Sequence, residues 1–221
     1  MNLYDKCKEL YEINNSKTKN CASIMVKDTC TTLPQKIVFQ SNDYKKYQCN
    51  CVYYISDIHL LHQILKKFKN GATDEQIKSY IRKLVKGLFT EELTSDILNY
   101  RHPKVLFGGD ISAVFEIAKI FYTEFVNCWE SVEEQFEIKS SSRRGCIYAV
   151  LGNHEFWDFS NVDDCRMAYE NLFKKLSIRF LDNRIAWFGT PEFPITVENG
   201  KYVKVDREKE PELYEQQMLH I

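Results

Sequence analysis

The chain has 221 residues, 44% of them hydrophobic and 28% charged, with 30 Lys+Arg against 31 Asp+Glu for a formal net charge of -1. At roughly 100–200 residues per domain, that length fits one domain with or without an extension, and it suffices for a buried core without disulfide or metal staples. The composition excludes low-complexity disorder and collagen-like repeats, and the charge balance disfavours a nucleic-acid partner.

Residues Met1–Lys6 show no charged segment leading into an apolar stretch, so no secretory signal is expected. No run approaches the ~18 apolar residues of a membrane helix. A cytoplasmic protein with no membrane partner is the expectation. The eight cysteines include no C-x-x-C pair and read as reduced thiols. Residues 1–47 are polar, rich in Lys and Asn and weakly patterned; they read as an N-terminal extension with a short helix near Leu3–Ile13.

From residue 48 to 221 the chain reads as one α/β domain. Val52-Tyr53-Tyr54-Ile55 is a buried strand. Thr73 and Gln76 form a capping box, after which Ile77, Tyr80, Ile81, Leu84 and Leu88 recur at helical spacing. Val105-Leu106-Phe107 is a second buried strand, stopped by Gly108-Gly109; Val114, Ile117, Ala118, Phe121 and Phe125 then mark a helix face. Cys146–Leu151 is a third strand, stopped by Gly152, and Ala168, Leu172, Phe173 and Leu176 mark a third helix. Strands are expected at Ile178–Leu181 and Ile185–Phe188, a hairpin at Ile195–Val203 turning on Asn199-Gly200, and a helix at Glu208–His220. Strands alternating with helices indicate an α/β architecture.

All three buried strands end in polar chemistry: Ser56-Asp57-Ile58-His59, then Gly108-Gly109-Asp110, then Gly152-Asn153-His154-Glu155. Ligand sites of open α/β sheets lie beyond the carboxyl ends of strands, where these groups can converge. Carboxylate, imidazole and amide oxygen together suit Mn, Fe, Zn or Mg. In extended backbone Asp57 and His59, two residues apart, share a face and can hold one ion. The glycines before Asp110 and Asn153 let backbone pass close to a metal or a phosphate.

In this order, D-x-H (Asp57-Ile58-His59), G-D (Gly109-Asp110) and G-N-H-E (Gly152-Asn153-His154-Glu155) resemble the calcineurin-like metallophosphoesterases over about residues 48–190. The resemblance implies a four-layer αββα sandwich and a metal-dependent phosphoesterase that hydrolyses phosphate mono- or diesters by a metal-bound hydroxide. It implies two divalent metal ions, with Asp57 and His59 on the first, Asp110 bridging, and Asn153 on the second. His154 would lie beside the leaving group as general acid or stabiliser of transition-state charge. Glu155 would support the site through hydrogen bonds rather than bind metal. The partner implied is a phosphoester substrate of unspecified identity.

The chain departs from the family pattern beyond His154. A further histidine and a G-H-x-H are expected there, yet only His220 follows, and it reads as a frayed terminal residue. The chain therefore reads as the front portion of such a domain, incomplete on its C-terminal side. The alternative function is a truncated, non-catalytic remnant or binding module that keeps the fold without a complete binuclear site. His62, Asp158 and His102, with Arg143 and Arg144 after Ser140-Ser141-Ser142, read as surface or supporting polar residues.

Overall fold

The computed structural model describes residues 1–18, 35–38, 51–98, 103–135, 146–182, 195–198 and 201–204. In chain order the elements are α1 (Leu3–Thr18), β1 (Gln35–Val38), β2 (Cys51–Ile55), α2 (Leu60–Lys67), α3 (Asp74–Leu88), α4 (Glu91–Leu98) and β3 (Lys104–Phe107). Then follow α5 (Phe115–Gln135), β4 (Ile147–Ala149), a 3-10 helix (His154–Asp158), α6 (Val162–Leu176), β5 (Arg179–Phe180), β6 (Ile195–Glu198) and β7 (Lys201–Lys204). The expected strand at Ile185–Phe188, the expected helix at Glu208–His220, and His102, Arg143 and Arg144 lie outside the described residues.

β1 to β5 form one sheet in sequential order. β2, β3, β4 and β5 run parallel, joined by helical crossovers, and β1 pairs antiparallel with β2. This is an α/β fold built on a four-stranded parallel sheet. β6 and β7 form a separate antiparallel pair, with Ile195 opposite Lys204 and Glu198 opposite Lys201; the expected turn residues Asn199-Gly200 lie outside the described residues.

The core lies between the sheet and its helices. On β3, Val105 and Phe107 are buried while Lys104 and Leu106 are only half-buried, the alternation of a strand whose two faces differ. The Phe107 ring meets Phe121, Tyr122 and Phe125 of α5 edge to face, at centroid distances of 5.7, 5.2 and 4.9 Å. Such edge-to-face pairs add about 0.5–1.5 kcal/mol each beyond burial. Tyr122 carries the packing on to Phe173 of α6, at 4.9 Å. On α6 the buried stripe is Cys165, Tyr169, Leu172 and Phe173. Ala168, expected on that stripe, is half-buried, because the larger Tyr169 ring takes the inward position.

The helix expected near Leu3–Ile13 runs further, to Thr18, and packs against the domain. Cys7 is fully buried, the Leu3 N–H donates to Asp74 Oδ1 at 2.8 Å, and Lys6 Nζ donates to Asp158 Oδ2 at 2.6 Å. Asp158 also accepts the Phe115 N–H at 3.0 Å, so it ties α1 to the start of α5 rather than standing free on the surface. β1, α2 and α4 are not among the expected elements. α2 buries Leu60, Leu61 and Ile64, and α4 buries Leu93 and Ile97, a helical spacing that two turns show only once. Among the described residues no helix is long and apolar enough to cross a membrane.

Candidate metal centre

Register brings the three polar strand ends together. Ile55 of β2 pairs with Phe107 of β3, and Phe107 with Ala149 of β4, so the three parallel strands finish level. The loops that follow must leave from one edge of the sheet. They are stitched by backbone hydrogen bonds: the Asp57 N–H donates to Gly109 O (3.1 Å), the His59 N–H to Asp110 O (2.9 Å) and the Leu60 N–H to Ile111 O (2.9 Å).

The backbone here is not the extended one assumed for Asp57 and His59. Both are left-handed, with φ of 55° and 49°, and so is Asp110 at 55°. Left-handed backbone disfavours residues with a Cβ by roughly 1–2 kcal/mol, less for Asp than for most. His59 sits at the N-cap of α2 and turns the chain directly from strand end to helix. The two side chains still meet, His59 Nε2 lying 3.8 Å from Asp57 Oδ1, because two successive reversals replace the alternation of a strand.

The glycines act between loops. Gly109 has φ of 88°, and a Cβ on it would strike the backbone nitrogen of Gly152. A Cβ on Gly152 would strike Asp110 Oδ1. The close approach they permit is thus of one loop to the other, which brings the His154 N–H within 3.0 Å of Asp110 Oδ1.

Glu155 locks this arrangement. It is 1% exposed, and its carboxylate accepts the N–H groups of Asp110 (3.0 Å), Ile111 (2.6 Å) and Gly152 (2.8 Å). One side chain therefore clasps the loops after β3 and β4. Burial pushes its carboxyl above the usual range, and the three donors pull it back.

Among the described residues, two groups of side chains at this edge can hold a metal ion. Asp57, His59 and Asp110 bring one ligand atom each to within 4.8 Å of one another, and so do His59, His62 and His154. The Asp57 side chain is 61% exposed, so the first group opens to solvent and an ion can enter from solution. Asn153 is exposed at the same edge and does not cap the 3-10 helix with its side chain. The His154 ring stacks on Trp157 at 4.1 Å and meets His59 edge on at 4.6 Å. Burial holds its imidazole below the ordinary value; Asp110 opposes this, and His59 and His62 add to it.

His62 is the residue that sequence reasoning passed over as a polar neighbour. Its imidazole lies 5.8 Å from that of His59 and 5.9 Å from that of His154, centroid to centroid. The available signal was the spacing of three between His59 and His62, which shares a face only once a helix starts at residue 60. Tyr11 of α1 meets His62 edge on at 5.5 Å, so the N-terminal helix borders the site.

No protein-family model matches this chain, and no curated protein or solved structure matches it either.

Proposed function

We propose that the protein is a divalent-metal-dependent phosphoesterase of the calcineurin-like kind. The observation that carries the reading is the meeting of Asp57, His59 and Asp110 at level ends of adjacent parallel strands. Two carboxylates and an imidazole form a mixed donor set fit for a hard or borderline divalent ion such as Mn, Fe, Zn or Mg. Asp57 and His59 would hold the first ion, Asp110 would be shared, and Asn153, exposed at the same edge, would serve the second. Ions there supply Lewis acidity toward a phosphoryl oxygen and a water of lowered pKa.

The chain's own residues supply the rest. Glu155 fixes the Asp110 backbone, and the His154 N–H holds Asp110 Oδ1, so the shared carboxylate has one orientation. His154 would serve a leaving oxygen as general acid or as a hydrogen-bond donor to its developing charge. The half-buried outer face of the sheet, with Tyr54 and Leu106, is what a second sheet would cover in an αββα sandwich.

The test is hydrolysis of an aryl phosphate monoester and diester by the full chain with added manganese. The reading expects metal-dependent turnover that Asp110→Ala abolishes; turnover unaffected by that change would contradict it. A second reading, a non-catalytic metal-binding module, rests on the same meeting of donor side chains, which binds an ion without requiring a reaction. It expects manganese binding without turnover.

A further inference from the structure

His59, His62 and His154 present three imidazoles with ligand atoms inside 4.8 Å of one another, a donor set without carboxylate. We propose that these three side chains bind one borderline transition-metal ion of the Zn²⁺ class, in an all-imidazole site that shares His59 with the Asp57–His59–Asp110 set and replaces its carboxylates with His62 and His154. Nitrogen donors select zinc, copper, nickel and cobalt over magnesium and manganese, which prefer oxygen. Three histidines with the fourth position open is a recurrent zinc arrangement.

Three features of the structure support it. Each ring has its own packing neighbour: His59 lies edge on to His154 at 4.6 Å, His62 meets Tyr11 at 5.5 Å, and His154 stacks on Trp157 at 4.1 Å. The Nδ1 atom of His59 is buried and has no hydrogen-bond partner. A buried polar atom in that state calls for an explanation, and a nearby ion is one. Finally, His62 is placed by an element, α2, whose first turn starts within the metal-binding loop itself.

The proposal does not depend on the phosphoesterase reading, and its test uses no substrate. Metal-free full-length chain is titrated with Co²⁺, read by visible absorption, and then with Zn²⁺ in competition. One tight ion per chain is expected. His62→Ala should weaken it by more than the ~10–100-fold that loss of a ligand's hydrogen-bonded neighbour costs, while Glu116→Gln, an exposed change on α5, should leave it unchanged. Equal affinity in His62→Ala, an equal loss in Glu116→Gln, or no stoichiometric zinc binding at all would each overturn the proposal. The wild-type chain gives a reading that needs no variant. With ¹⁵N-labelled histidine, three of the five imidazoles should shift on zinc addition. Fewer than three, or thiolate-to-cobalt charge-transfer bands instead, would also overturn it. Failure of manganese-dependent hydrolysis with zinc binding intact would count against the phosphoesterase reading alone.

Discussion

The two layers that meet at Phe107 are built on opposite principles. Behind it, the interface of the sheet with α5 and α6 is apolar and aromatic, with Val105, Phe107, Phe121, Phe125 and Phe173 all fully buried. Ahead of it, at the strand ends, the sheet edge holds three of the four non-glycine residues with left-handed backbone among those described, and all three are candidate metal ligands. The core gains free energy from burial and asks little of the backbone. The edge spends conformational strain and desolvation to set polar groups side by side, and such strain persists only where surrounding structure over-determines it. The difference teaches that stability and chemistry are separable here, residue by residue.

The largest expected effect tests the core side. Phe107→Ala should destabilise the fold by about 3–5 kcal/mol, the cost of deleting a fully buried ring. Chemical denaturation measures it, and any molecules still folded should keep their affinity for manganese. Loss of metal binding in the folded fraction would break the separation.

Glu155 is the residue where the two layers join, and its removal sharpens the boundary between them. Glu155→Ala leaves the N–H groups of Asp110, Ile111 and Gly152 without their acceptor. A cost of about 3 kcal/mol is expected, since each unsatisfied buried donor costs about 1–3 kcal/mol and water will relieve some of it. Metal affinity should fall at the same time, because Asp110 loses its anchor. A variant with normal metal affinity would show that Glu155 serves stability alone.

The core was legible in the sequence and the edge only in part, for physical reasons. Runs such as Val105-Leu106-Phe107 announce buried strands, and periodic apolar residues announce α3 and α5, because burial acts on the whole pattern. Local hydrogen-bond chemistry was equally readable. Thr73 and Gln76 form the anticipated capping box, with both reciprocal bonds present, at 3.2 and 2.8 Å. At the edge, the motifs gave the identities of the converging residues but not how they converge. The left-handed backbone of Asp57 and His59 has no glycine or asparagine to signal it. The role of Gly152 depends on a loop that lies across the sheet. His62 was invisible as a ligand candidate because α2 is short and its start is set by His59, itself left-handed. β1 was missed because Gln35-Lys36-Ile37-Val38 offers only two apolar residues to mark a strand.

The smallest change in stability gives the most direct test of the central claim, that strained backbone at this edge is kept for metal binding. Asp57→Gly replaces a left-handed aspartate with the residue that tolerates φ of 55°. Strain relief is partly offset by the greater freedom of glycine in the unfolded chain, so stability should be unchanged or up to about 1 kcal/mol higher. Calorimetric titration of wild type and Asp57→Gly with manganese, alongside their unfolding curves, is the measurement. The account predicts saturable binding by wild type and its loss in a variant at least as stable. Manganese bound equally well by Asp57→Gly, or by neither protein, would contradict it.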